Sequence, residues 1–349
     1  MRKVDYIIVG QGLAGTFLSW FLGKEGKTYI VIDNFYPSSA SRVAAGIIHP
    51  VTGRRIVKTW MADTLIPFAG KSYAEMESEF SAKIFHPLPT LELLSTAKEC
   101  NDWLGRSEEP EMQPYIGNMD AGNLYDDVIH QFRGKVSVSG SAWINIGNLL
   151  SSFRNSLMTR GMLREEQLDF NQLHLTDEGV EYDDIQAEKI IFCDGVAALE
   201  NPFWNHLPFL PSKGEVLFFR ADIKLDHILN RSVHILPLGG DLFRAGSTFT
   251  WDFENDLPTA KGKDFLVSQL KEILRIPFEV VDHQAAIRPT VKNRRPFIGL
   301  HFRHRQIGIF NGLGTKGCLL APYFAGQFAG FLSGKNPLMK ETDAGNFVR

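Results

Sequence analysis

The first thirty-three residues constrain this chain more than any other segment. A short apolar run at 6–9, preceded by Val4, has the composition of a buried parallel strand. It leads without a spacer into Gly10-Gln11-Gly12-Leu13-Ala14-Gly15. Residues 13–23 then carry apolar side chains at helical spacing, and 29–32 read as a second strand ending at Asp33, 18 residues beyond Gly15. The series strand, GxGxxG, helix, strand, acid has a physical logic. Gly10 permits the tight turn, Gly12 lets the backbone approach a pyrophosphate, and Gly15 lets helix and strand pack closely. N–H groups at the helix start, around Leu13 and Ala14, would face phosphate charge. Asp33 would accept hydrogen bonds from a ribose, and an acid there favours an unphosphorylated one. The unit is therefore expected to hold FAD or NAD rather than NADP, and the motif does not separate the first two.

Composition narrows the setting. The chain has 349 residues, 44% hydrophobic and 22% charged, which excludes disordered, collagen-like and coiled-coil classes. A core of that size normally divides between two domains. There are 37 basic against 40 acidic side chains and a formal net charge of -3. That balance argues against a polyanion-coating protein and leaves a local basic patch open. Cys100, Cys193 and Cys318 stand far apart with no CxxC pair, so neither a metal site nor a disulfide framework is expected. A cytoplasmic, reducing compartment is the natural reading. Asp5 and Gln11 interrupt the N-terminal apolar stretch, and no small-residue cleavage pattern follows, which argues against a signal peptide. Residues 317–334 are glycine-rich and fall short of the roughly 20 apolar residues a bilayer span needs, so they read as a loop feeding a packed helix.

Periodicity gives a coarse map of the rest. Helical character is expected at 56–80, 146–160, 265–273 and about 321–332. Strands are expected at 88–94, 135–138, 173–175, 180–182, 189–193, 215–220, 232–236, 242–246 and 306–310, with 278–286 extended. Residues 101–123, with Pro110 and Pro114, read as loop. Nucleotide-fold character thus occurs at both ends of the chain, with antiparallel sheet between. The expected fold is α/β: a discontinuous Rossmann-like domain over 1–80, 140–210 and 286–349. Into it is inserted an α+β substrate domain over 81–139 and 211–285, built on a mixed, largely antiparallel sheet.

Four segments together resemble the D-amino-acid oxidase/glycine oxidase family of FAD-dependent oxidoreductases. They are the Gly10–Gly15 motif with Asp33, the serine/alanine-rich stretch at 38–50, the turn and strand at 211–219, and a bipartite C-terminal pattern. The last comprises Ile287-Arg288-Pro289-Thr290, 296–299 and 311–322. The resemblance implies noncovalent FAD. Gly10, Gly12, Gly15 and Asp33 would hold its ADP half, and Ser41, Arg42, Ala45 and Gly46 would form the wall from pyrophosphate to flavin. The loop containing Gly312, Gly314, Thr315, Lys316 and Gly317 would lead into the last helix beside the flavin.

The same resemblance implies oxidation of the C–N bond of a small amino acid or secondary amine, by hydride transfer to flavin N5, to an imine that hydrolyses. Such chemistry needs no Ser-His-Asp, paired-carboxylate or metal spacing from the protein, because the cofactor carries it. The reoxidant would be oxygen or a respiratory-chain carrier. Arg288 would clamp the substrate carboxylate through its rigid fork of donors, against the alternative of a structural salt bridge. His49 and Lys316 are candidate pocket residues; a packing histidine and a solvated loop lysine are the plainer alternatives. Gly314-Thr315 departs from the aromatic-arginine pair of glycine oxidase-like chains, so a second carboxylate contact is not expected. Trp251 reads as packing or as a lid. The stretch at 38–50 also resembles the oxidase domain of an enzyme that modifies the tRNA wobble uridine. Together with Arg54-Arg55, Arg294-Arg295 and Arg303-His304-Arg305, this keeps an RNA-linked amine as an alternative substrate, alongside a 2-hydroxy acid.

Overall fold

The computed structural model describes residues 1–53, 55–117 and 123–347. Strands Arg2–Val9 and Tyr29–Ile32 pair in parallel, and Arg2–Val9 pairs in parallel with Ile185–Phe192 on its other side. Their apolar runs are continuous because both faces are covered. Tyr6, Ile8, Tyr29, Val31 and Ile191 enter one hydrophobic cluster, while Ile7, Val9, Ile30, Ile32, Ile190 and Phe192 enter another. Leu163–Arg164, Gly179–Tyr182 and Leu173–Thr176 extend the sheet. Ile307–Asn311, from the far end of the chain, pairs in parallel with the end of Ile185–Phe192. The Rossmann-like sheet is therefore assembled from distant pieces of sequence.

The second sheet interrupts the first. Its spatial order is Glu279–Arg288, Ser212–Arg220, Leu242–Gly246, His234–Gly239, Ile228–Asn230, Thr90–Leu94 and Gly134–Val138. One pair, Ile228–Asn230 with Thr90–Leu94, is parallel, and the rest are antiparallel. Side chains alternate between its faces. The odd-numbered Leu91, Leu93, Leu217, Phe219, Leu229, Ile235, Phe243 and Ala245 share a core with Leu266, Leu270 and Ile273 of helix Ala260–Ile273. The opposite, even-numbered face carries Glu92, Val216, Asn230, His234 and Gly246, and it looks toward the first sheet's cleft.

Several expected elements shift. The helix expected over 56–80 begins only at Ala62, after a short strand Val57–Lys58 and a left-handed Met61. Residues 101–123 are not all loop, since helix Ala97–Ser107 occupies the first part, and 118–122 lie outside the described residues. Its start has a capping box: Thr96 Oγ1 accepts from Glu99 N–H, and the Glu99 carboxylate accepts from Thr96 N–H. Helix Ala260–Ile273 starts before 265, capped by Thr259. Residues 317–334 are not a loop feeding a helix starting near 321; the last helix runs Gly317–Leu332. Its glycines serve packing. A Cβ on Gly326 would come within 3.3–3.4 Å of Phe68 and Phe21, so close ring contact offsets the roughly 1 kcal/mol that helical glycine costs against alanine.

Candidate functional site

A cleft of about 1630 Å³ runs between the two sheets. At its nucleotide end, Gly10, Gly12, Leu13, Ala14, Asp33, Ser41 and Arg42 line the wall. Helix Leu13–Lys24 starts there without a side-chain cap and without an acid in its first turn. Apart from Leu13 N–H, which Ser41 takes, its positive end is open to an anion. A Cβ on Gly12 would meet Ser41 Oγ at 2.9 Å, and Leu13 N–H donates to that oxygen at 3.1 Å. Gly15 does not line the cleft. It lies behind, where a Cβ would sit 1.9 Å from the Gly10 carbonyl oxygen, so helix and turn touch backbone to backbone. Gly312 also lies off the cleft, at a turn with φ +77°.

Asp33 is already largely committed. Its Oδ1 accepts from Gln11 N–H at 2.8 Å, and its Oδ2 accepts from Arg154 at 2.7 Å and Phe35 N–H at 3.0 Å. A carboxylate has about four acceptor positions, so roughly one remains for a ribose hydroxyl. Arg154 also pairs with Glu165, and both Arg154 and Arg42 stack on Phe35. The residues present therefore fit a dinucleotide: an uncapped helix start, a glycine approach and one open acceptor on the acid.

The middle of the cleft is bordered by Ala45 and Gly46 on one side and by Gly314, Thr315, Lys316 and Gly317 on the other. The segment at 43–44 is fixed by Arg244, which sequence reading missed. This buried guanidinium donates to the Ala44 carbonyl at 2.8 Å and to that of Val43. Burial lowers its pKa to about 10. A lone charge within the apolar-alternating strand 242–246 was the available signal. Lys316 is not a solvated loop residue: its Nζ donates to Thr59 at 2.8 Å and Thr52 at 3.2 Å. Burial, helped by Arg294 and Arg295, lowers its pKa to about 8. Cys318, in the first turn of the last helix, also lines the cleft, and burial pushes its thiol up to about 12.

Arg288 lines the same cleft. It pairs across the sheet edge with Ser212, and its guanidinium crosses above Gly214 to donate to Ser247 Oγ at 2.8 Å. A Cβ at Gly214 would lie 1.6–2.4 Å from the guanidinium atoms, so the missing side chain is what admits it. Burial lowers the Arg288 pKa to about 10. Its Nη1 is buried and has no hydrogen-bond partner among the described residues. That is an unmet cationic donor in a cleft that has room for an anion.

His49 also lines the cleft. Its Nδ1 accepts from Val51 N–H at 3.1 Å, so the ring is the Nε2–H tautomer and directs that proton to Glu92 Oε1 at 3.1 Å. Asn230 donates to the same oxygen at 2.7 Å. Sequence reading missed Glu92, although a single acid in the buried strand Thr-Leu-Glu-Leu-Leu was the clue. Trp251 is exposed, packs edge-on against Phe249 and does not line the cleft. In the basic runs Arg295 lies over Trp60 and Arg303 over Phe302, and His304 stacks on His301, while Arg294, Arg303 and Arg305 are exposed. Arg55 is exposed, and Arg54 lies outside the described residues. Among the described residues, no cluster of three or more His, Cys, Asp or Glu could hold a metal, and no helix is long and apolar enough to cross a membrane.

Comparison with known proteins follows the same outline. A family described as FAD dependent oxidoreductase (DAO) matches residues 5–330. Glycine oxidase from Pseudomonas putida is 23% identical over 97% of this chain and 90% of its own length. Among solved structures, iminodiacetate oxidase from Chelativorans sp. BNC1 superposes with a TM-score of 0.82 at 18% identity, covering 97% of this chain and 98% of that one. Glycine oxidase from Geobacillus kaustophilus gives 0.80 at 19% identity, covering 97% of each chain.

Proposed function

The chain belongs to the FAD dependent oxidoreductase (DAO) family, and on that premise we propose that it oxidises the C–N bond of a small amino acid or carboxylate-bearing secondary amine. The observation that carries this reading is Arg288: a buried guanidinium with one edge unpaired, in the same cleft as the Gly10–Ala14 phosphate cradle. In this reading the uncapped start of helix Leu13–Lys24 and the backbone at Gly12 hold the pyrophosphate, and the open acceptor of Asp33 takes a ribose hydroxyl. FAD, when bound there, would supply the two-electron acceptor, with N5 as the position that accepts hydride. Arg288 holds the substrate carboxylate and so fixes the Cα–H bond against the flavin wall at Ala45 and Gly46. Loss of hydride from Cα and of a proton from nitrogen leaves an imine, which water converts to a carbonyl compound and the freed amine. Arg244 keeps the wall in place, and Lys316 sets positive charge beside the cofactor's middle section.

Noncovalent attachment is part of the proposal, since a thiol held near 12 in Cys318 is a poor nucleophile. The neighbours that act on glycine or iminodiacetate support a compact amine bearing at least one carboxylate. The test is an anaerobic flavin-bleaching screen of the purified yellow protein against D- and L-amino acids, N-substituted glycines, 2-hydroxy acids and modified tRNA. Bleaching by carboxylate amines, lost in Arg288→Ala, is the expected result; bleaching by hydroxy acids or tRNA alone overturns the reading.

A further inference from the structure

The even-numbered face of the second sheet carries a polar row that the oxidation step does not use. His234 pairs with Gly246 on one side and Asn230 on the other, and Asn230 pairs with Glu92. Directly opposed residues share a face, and all four positions line the cleft. Glu92 Oε1 is filled by His49 and Asn230, both neutral donors, whereas no donor among the described residues reaches Glu92 Oε2. Asn230 gives one of its two amide N–H donors to Glu92, and its carbonyl oxygen accepts no hydrogen bond among the described residues. His234 Nδ1 is buried without a partner, and burial lowers its pKa to about 4, which keeps the ring neutral. A carboxylate in a buried setting with no permanent cation beside it leaves a demand for positive charge.

We infer that Glu92, Asn230 and His234 form a second recognition pole, which takes a cationic N–H group at the distal end of the substrate. The inference rests on the amine-oxidation reading and deepens it by naming the substrate class: an amino acid or secondary amine with a carboxylate at one end and an ammonium or guanidinium at the other. Two open oxygens, on Glu92 and Asn230, and the neutral His234 ring, which accepts at Nδ1 in its Nε2–H tautomer, suit the three donors of an ammonium or the fork of a guanidinium. Spacing agrees with an extended molecule. Arg288 reaches Ser247 at the end of Leu242–Gly246, and Glu92 stands three strands away in the sheet order, about 14 Å at the usual strand separation. The two facing side chains shorten that span. An amino acid with no side chain would leave the pole empty and the carboxylate uncompensated.

The experiment is equilibrium binding to the flavin-loaded protein, read by calorimetry and by perturbation of the flavin spectrum. The ligands are ornithine, lysine and arginine, with norleucine as the uncharged counterpart of lysine. At least one basic amino acid is expected to bind tenfold or more tightly than norleucine. Glu92→Gln should abolish that preference, and Asn230→Ala should weaken it. Equal binding of norleucine and the whole basic series by the wild-type protein overturns the inference, whatever the variants do. If the basic ligands bind preferentially and no amine in the series reduces the flavin, the oxidation reading fails and the cation pole stands. If norleucine binds as tightly as lysine and reduces the flavin as readily, the pole fails and the oxidation reading stands.

Discussion

The contact between Gly214 and Arg288 can be tested without touching the arginine. Adding one methyl group in Gly214→Ala places a carbon 1.6 Å from Nη2 and 2.1 Å from Cζ. Ordinary contact is about 3.5 Å, so the guanidinium must retreat by roughly 1.5–2 Å. Backbone strain does not confound the change: the glycine sits within strand Ser212–Arg220, where alanine is favoured by about 0.5–1 kcal/mol. The retreat breaks the Ser247 contact and misaligns the fork with a bound carboxylate. Charge-assisted hydrogen bonds are worth about 1.5–3 kcal/mol each, and partial loss of a bidentate pair, about 3 kcal/mol, corresponds to roughly 10²-fold. The assay is half-saturation for a carboxylate amine in anaerobic flavin reduction, with flavin content and thermal unfolding as controls. A rise of about two orders of magnitude with flavin retained is expected. If half-saturation stays within threefold of wild type, the guanidinium does not hold the carboxylate.

Other substitutions probe the cofactor half. Gly15→Ala should improve helix propensity by about 1 kcal/mol on local grounds, yet its Cβ would meet the Gly10 carbonyl at 1.9 Å; purified protein should therefore be colourless or unstable, and normal flavin content would refute the packing argument. Arg244→Met strands the Val43 and Ala44 carbonyls, at about 1–3 kcal/mol each, and should lower both the unfolding temperature and flavin affinity. Lys316 has a folded pKa lowered to about 8 from 10.5, so the native state binds fewer protons than the unfolded state between those values. Measured as the difference between wild type and Lys316→Met, stability of the flavin-free protein should rise across pH 8 to 10.5, by on the order of 3 kcal/mol at most. The raised thiol of Cys318 acts with the opposite sign in both proteins and cancels in that difference, which denaturant titration at several pH values reads.

The nucleotide half was legible because its signals are local: a turn, a helix start and an acid within thirty-three residues. Helix Ala97–Ser107 was missed although Ala97, Cys100, Trp103 and Leu104 recur at helical spacing, because nearby Pro110 and Pro114 read as loop. Its capping box at Thr96 and Glu99 was the better clue. Asp33 was recognised, but its partner Arg154 stands 121 residues away and has no motif. Arg288 was picked out, whereas the residues that place it, Gly214 and Ser247, arrive through antiparallel register across the second sheet. Glu92 was hidden for the same reason. Its meaning depends on Asn230, 138 residues later, pairing beside it.

The alternation of that sheet separates two kinds of selection. Residues such as Leu217, Leu229 and Ile235 answer to helix Ala260–Ile273, while their immediate neighbours Val216, Asn230 and His234 answer to whatever occupies the cleft. A lineage could exchange one ligand preference for another by rewriting every second letter of these strands. The letters between would keep the scaffold unchanged while it did so.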